Sequence, residues 1–472
     1  MFFNIKNSKI FFLSLFLVLW AAINSKAYDI LYFYTDITNL TFFINFLRSI
    51  GPSIILFCLL TFILKNYFSK KNFSKNIILF YFILFIIIQI IGFYLNPKNY
   101  SDLYEYDFAF SIIKNNEFFT RTFLLYDQNY YLINLLSVVF FFFLLNSFNN
   151  QVYYKYLFII NILILILINI PIGVLAYKEF LLSSNLTAYW NKMTAPESMI
   201  LSQSVPRVTG LSRSLIIIYI FLICYAFFKK NLSNKTLFLI FLLILGSLIW
   251  SLQSRAAVYS LFFFNLLIIS LSENKVKKKI FTILILCIGP IIIHNLISYA
   301  SFKIKNQNTN QMEIQMEIQM EISVDRFKNQ NRVTLVDTTG RIEIWKNIIE
   351  QSKTSLIFGK GSQADRWYLD RTDKWKNNAS NALFYSLICG GFLGVIIYIL
   401  IIYETIKLLL DCTLRLKFFR KENNNLYYSA FFILIFLLLR SIVENSFMIF
   451  SIDNLIFLSC FFLLKMNSKI NQ

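Results

Sequence analysis

Ile77-Ile78-Leu79-Phe80-Tyr81-Phe82-Ile83-Leu84-Phe85-Ile86-Ile87-Ile88-Gln89-Ile90-Ile91-Gly92-Phe93-Tyr94-Leu95 contains one amide, Gln89, and no charge. Such a run approaches the ~20 residues that a helix needs to cross the hydrocarbon core of a bilayer. Inside lipid a segment must satisfy its own backbone donors and acceptors, which leaves helices as the solution for single runs. Similar runs recur along the chain, at Ile10–Ile23, Pro52–Leu64, Tyr131–Leu145, Leu157–Ala176, Leu215–Phe228 and Leu237–Trp250. They continue at Ala256–Leu271, Ile280–Tyr299, Leu383–Tyr403, Tyr428–Phe450 and Asp453–Leu464. The pattern predicts an all-α polytopic membrane protein with about 12 transmembrane helices. Several runs are short, so flanking Phe, Tyr, Asn and snorkelling Lys must lengthen them.

Composition agrees. The 472 residues are 57% hydrophobic and 15% charged, with 53 Phe, which leaves too little polar surface to cover a soluble domain. A formal charge of +20 raises nucleic acid as a partner. The excess lies in short loops between apolar runs, where it orients helices, so no nucleic-acid partner is expected. Cys58, Cys224, Cys287, Cys389, Cys412 and Cys460 sit in apolar runs or beside a basic loop. Their spacing fits neither a disulfide framework nor a metal site, and neither metal nor cofactor is expected.

Charge asymmetry predicts the orientation. Lys65, Lys70, Lys71 and Lys75 follow the second run, and Lys229, Lys230 and Lys235 the sixth. Lys275, Lys277, Lys278 and Lys279 follow the eighth, and Arg415, Lys417, Arg420 and Lys421 the tenth. These loops are then cytoplasmic, as are both termini, whereas 96–130, 177–213 and 300–380 face outward. Lys6, Lys9, a short apolar core and Ser25-Lys26-Ala27 also fit a cleaved signal peptide. The chain divides into helices 1–9 (residues 1–299), one large outer loop with short helices (300–380) and helices 10–12 (381–472). Within the loop, Gln311 to Ile322 repeats Gln-Met-Glu-Ile three times, a low-complexity spacer to which no chemistry is assigned.

The residues able to do chemistry gather on the outer side. Arg207 and Arg213 precede or open the sixth run, Arg255 opens the eighth, and Arg341 lies in the large loop in Gly340-Arg341-Ile342-Glu343-Ile344-Trp345. Arg440 sits inside the eleventh run, about two turns from its outer end, where an arginine costs roughly 2.5–3.5 kcal/mol to insert. Glu444, at i+4, is its expected partner. Two readings stay open for this pair: a staple of the bundle, or the lining of an outward-facing polar cavity. Arginine's planar fork matches phosphate oxygens, whereas the loop lysines act as point charges, so an arginine cluster points to a phosphate-bearing lipid or other anion. Trp345, Trp367 and Trp375 fit either a small loop core or platforms for sugar rings. His294, the one histidine, lies in the ninth run and is not expected to act as a base.

In order along the chain, Arg207-Val208-Thr209-Gly210, Ser254-Arg255-Ala256-Ala257, Gly340-Arg341 with Trp345, Phe358-Gly359-Lys360-Gly361, Ser380-Asn381, Gly390-Gly391-Phe392-Leu393-Gly394, and Arg440 with Glu444 form a recognisable series. Over roughly 207–453 this series resembles the O-antigen polymerase and O-antigen ligase superfamily of bacterial inner-membrane glycosyltransferases. The resemblance implies a multi-pass inner-membrane enzyme, its site facing the periplasm, that uses a polyprenyl-diphosphate-linked oligosaccharide as donor and another as acceptor. Membrane lipid, a chain-length regulator and a flippase are the partners it implies. Arg255, Arg341 and Arg440 would hold the departing diphosphate, with Arg207 and Arg213 in support. Glu444, Trp345 and Asn381 would contact substrate, and Glu343 or Asp337 would serve as base. Ligase-like members carry His-Asn where this chain has Ser380-Asn381, so polymerisation of repeat units is the leading expectation and ligation the alternative. A transporter or flippase comes third, because charged residues near mid-membrane in several helices are missing.

Overall fold

A computed structural model describes residues 12, 14–16, 19, 53–64, 76–96, 127–147, 151–182, 208–229, 235–252, 254–272, 275–306, 341–367, 379–421, 425–448 and 452–470. All regular elements among them are helical: α1 (Ser53–Leu64), α2 (Ile77–Leu95), α3 (Asp127–Ser147), α4 (Gln151–Leu182) and α5 (Val208–Phe228). Next come α6 (Lys235–Ser251), α7 (Arg255–Leu271), α8 (Val276–Asn306), α9 (Arg341–Ser352) and the single turn α10 (Ala364–Trp367). The chain closes with α11 (Ala382–Lys421), α12 (Asn425–Ser441) and α13 (Ile452–Ile470). Ile- and Phe-rich runs have middling helix propensity in water, but a hydrocarbon surround removes every alternative partner for their amides. Five helices are long and apolar enough to cross a membrane, and α1, α6, α7, α12 and most of α3 are shorter apolar helices.

Several boundaries differ from the sequence expectation, most of all that of α11, which runs past Tyr403 to Lys421 and takes Arg415, Lys417, Arg420 and Lys421 into the helix. α8 continues through Tyr299 to Asn306, so the loop begins later. The eleventh run stops being helical at Ser441 instead of Phe450. The chain then makes a turn and a short 3-10 segment, Ser446–Met448, before α13. Glu444 therefore lies beyond the helix that carries Arg440. Val443 and Glu444 both donate to the Arg440 carbonyl, at 3.0 and 2.9 Å, which closes the last turn, and Asn445 beyond it is drawn off to Asn381 and Asp365. Asn454 Nδ2 donates to the Phe447 carbonyl at 2.7 Å, and the Phe447 ring stacks on Phe457 at 4.1 Å. The apolar residues after Ser441 thus fold back on α13.

α5 sits inside the bundle, against α4, α6, α7 and α12. Its membrane window is 67% buried, against 17% for α8, which marks α8 as peripheral and lipid-facing. Apolar side chains gain little by leaving lipid for each other, so helix association relies on close fit. Gly246 of α6 meets the Pro290 ring of α8 so closely that an added Cβ would stand 2.7 Å from Pro290 Cγ. Short connections alternate the helices, so Asn96, Arg213, Arg255, Arg341, Asn381, Arg440 and Asp453 all fall at one end. Lys229, Lys235, Lys275, Lys277, Lys278 and Lys279 belong to connections at the other end.

One loop closes the arginine-bearing end. Between α9 and α10, Leu356–Gln363 lies in a notch where Gly391 (φ 61°, ψ −156°) breaks α11. Lys360 and Gly361 donate to the carbonyls of Ile388 and Cys389, at 2.8 and 3.0 Å. Phe392 and Leu393 donate back to Leu356 and Ile357, at 2.8 and 3.3 Å. The carbonyls freed by the break are thereby satisfied, as buried backbone requires. A side chain at Gly391 would strike the Ile357 carbonyl, and at Gly92 of α2 a Cβ would stand 2.5 Å from the Phe358 oxygen. Asn96 Nδ2 then ties the end of α2 to the Gly359 carbonyl at 3.2 Å.

Candidate active site

Three helix ends meet beside this loop. Arg440 is the last residue but one of α12, and Asp453 stands in the first turn of α13. A cation at a helix C-terminus and an anion at an N-terminus each complement the helix dipole, which favours this placement before any pairing. Arg213, near the start of α5, completes the group. Its Nη1 lies 2.7 Å from Asp453 Oδ2, and Arg440 Nη1 lies 3.5 Å from the same oxygen. The Asp453 carboxylate, 1% exposed, therefore bridges two guanidinium groups. Glu444 Oε2 is farther, 4.0 Å from Arg440 Nη2, and its side chain is 22% exposed. The nearer partner of Arg440 is thus Asp453, not the expected Glu444.

Arg213, Asp453, Glu444 and Arg341 are the charges that act on Arg440. In contact, two guanidinium groups meet two carboxylates and balance in charge, and the guanidinium of Arg341 adds a positive field at Arg440. The cluster also keeps a donor to spare: Arg213 Nε is buried and makes no hydrogen bond among the described residues, and Arg440 Nη1 makes none beyond its ion pair with Asp453. A buried donor left unmade costs about 1–3 kcal/mol, more when charged, so the arrangement favours an added acceptor. An anion with several oxygens fits that demand.

A second network, built on the Asp365 carboxylate, holds the elements around the cluster. Asp365 of α10, 1% exposed, accepts through Oδ2 from the Ala379 amide at 3.0 Å and from Asn445 Nδ2 at 3.1 Å. Asn445 Oδ1 accepts from the Asn381 amide at 3.0 Å. Asn381 Nδ2 donates to the Ile442 carbonyl at 2.7 Å, and its Oδ1 caps α11 by accepting from Leu383 and Phe384 at 2.7 and 3.2 Å. Trp345 Nε1 donates to the Ala379 carbonyl at 3.1 Å, and its ring stacks on Phe384 at 5.1 Å.

The residues singled out in the sequence fare differently. Arg213, Arg341, Arg440 and Glu444 come together. Glu343 is exposed on α9, two residues from Arg341. Trp345 has one face covered by Phe384, and the Asn381 side chain is taken up by capping α11 and holding the end of α12. Arg255 is the first residue of α7, its side chain outside the described residues, as are Arg207, Asp337, Trp375 and the Gln-Met-Glu-Ile repeat. His294 is buried in α8. Asp453, Asp365 and Asn445 were not foreseen. Asp453 carried a readable signal, an acid opening an apolar run, which is the same anomaly that drew attention to Arg440.

Residues 238–399, from α6 to midway along α11, match the family described as O-antigen ligase. The match covers 162 of the 472 residues. No curated protein and no solved structure matches the chain.

Proposed function

We propose that the protein polymerises oligosaccharide repeat units carried on a polyprenyl diphosphate, at the outer face of the inner membrane. The observation that carries this reading is the pairing of Arg213 and Arg440 on the one buried carboxylate of Asp453, with Arg341 near enough to act on Arg440 and a buried Arg213 donor unused. The donor already stores its activation in the sugar–diphosphate bond. An acceptor hydroxyl attacks the anomeric carbon, a new glycosidic C–O bond forms, and the bond to the diphosphate breaks with its electron pair leaving on oxygen. Charge thus grows on the lipid diphosphate. Fixed guanidinium groups at a low-dielectric boundary stabilise it more in the transition state than in the ground state, which is what lowers the barrier. Arg440 and Arg213 would contact the phosphates, and Arg341 and Arg255 would complete the site from α9 and α7. The hydroxyl proton passes to a carboxylate near Arg341, for which the exposed Glu343 is the candidate.

A ligase reading, transfer of finished polysaccharide to lipid A-core or protein, is favoured by the description of the matched family. Ser380 in the place of the ligase-type histidine weighs for polymerisation. A deletion strain separates the two. Loss of a polymerase leaves single repeat units on the surface lipid. Loss of a ligase leaves uncapped core and accumulated lipid-linked polymer.

A further inference from the structure

Arg341 and Arg440 sit 99 positions apart on α9 and α12, two helices with no short connection and, among the described residues, no ion pair between them. Something else must fix their spacing. α9 is held by Trp345, one turn after Arg341, through the Ala379 carbonyl at 3.1 Å and the stack on Phe384. α12 is held just past Arg440, where the Ile442 carbonyl accepts from Asn381 at 2.7 Å. Both anchors converge on the short stretch Ala379–Asn381. That stretch is fixed in turn by two side chains, Asp365 on the Ala379 amide and Asn445 on the Asn381 amide, each at 3.0 Å. Asp365 and Asn445 bond to each other at 3.1 Å, across 80 positions of sequence. Ser380 between them adopts φ 48°, a left-handed backbone that a non-glycine residue holds only when its surroundings impose it.

We propose that Asp365 and Asn445 are positioning residues that lock Arg341 and Arg440 in one register, so that both guanidinium groups reach the same diphosphate. The role in catalysis rests on the function proposed above; the register itself does not. The bond between the two residues has a direction, amide donor to carboxylate acceptor, and that direction can be reversed. Asn445→Asp apposes two carboxylates and removes the donor. Asp365→Asn keeps an acceptor oxygen for both of its donors. In the reciprocal double variant one atom takes the place of Asp365 Oδ2: the Nδ2 of an asparagine there donates to the new carboxylate at 445 but gives up the Ala379 amide, so the apposed charges are relieved and one bond is lost.

The test uses the purified full chain in detergent or nanodiscs, with two readouts. The first is the kcat and KM for ladder formation from lipid-linked repeat units. The second is the distance distribution between spin labels at Lys346→Cys and Leu439→Cys, two exposed positions on α9 and α12, in a Cys58→Ser, Cys287→Ser background. We expect Asn445→Asp, and Asn445→Ala as a break without apposed charge, to lower kcat about tenfold to a hundredfold with KM changed less, and to broaden the distance distribution. Asp365→Asn keeps most of the wild-type kcat, and the reciprocal double variant recovers part of the kcat lost in Asn445→Asp, together with a distribution narrower than that of Asn445→Asp. A double variant as impaired as Asn445→Asp in both readouts, or an Asn445→Asp protein with wild-type kcat and a narrow distribution, overturns the proposal. If the distances respond as expected but the wild-type protein forms no ladders, the register stands and the functional reading fails.

Discussion

The loop over α11 and the arginine cluster lie side by side, yet they are built on opposite terms. In the loop, peptide groups answer peptide groups: Lys360, Gly361, Phe392 and Leu393 all donate across the Gly391 break, and glycine is needed where backbones approach. Little polar capacity is left there to offer a ligand. In the cluster, buried Arg440 and partly buried Arg213 share one carboxylate, and Arg213 Nε is held in reserve. The first region is complete as it stands, and the second becomes complete when an anion arrives. The lesson is that a motif recognised for its place in a family can do structural work, whereas the chemistry sits where hydrogen bonding is unfinished.

Substitutions can break or sharpen this contrast. The largest effect is expected at Asp453. Asp453→Ala leaves Arg213 and Arg440 apposed in a buried site, which costs roughly 3–5 kcal/mol of stability and is read as a drop in thermal unfolding temperature in detergent. Combining it with Arg440→Met should recover part of that loss, because the repulsion is removed. Next is Arg440→Met alone: ladder formation falls about 10²–10³-fold while the protein still accumulates in the membrane, checked by an in vitro assay and a membrane blot. Gly391→Ala acts on the loop, where a left-handed backbone and a clash with Ile357 together cost about 2–4 kcal/mol, read by thermal unfolding and by new protease cuts. Smallest is Gly210→Ala. Its Cβ meets nothing within 4 Å in a helical position, so stability should hold or rise by about 0.5–1 kcal/mol in the same unfolding assay.

Much of the fold was open to reading because hydropathy is a local property. Ile77–Leu95 is the helix its composition predicts, and most other runs differ from their helices by a few residues at each end. Where the reading missed, a distant partner decides. Ile442, Val443, Phe447 and Met448 look like more of the eleventh run, but Asn445 is claimed by Asn381 and Asp365, 64 and 80 positions away, and the helix ends at Ser441. No periodicity within that run could signal such a bond. The same holds for the site. The abnormal cost of an arginine in an apolar run marked Arg440, but its closest carboxylate lies on the next helix, beyond the reach of i+4 reasoning. The role of Phe358-Gly359-Lys360-Gly361 was hidden likewise, because Gly92 and Asn96 lie more than 250 positions away, outside the segment that the family model matches.

The most direct test sets purified wild-type protein beside Arg440→Gln on a defined lipid-linked repeat unit and resolves the products by length. A ladder from the wild type and its near-absence from the variant, at equal amounts of folded protein, is the result this account predicts. Equal ladders from both would contradict it.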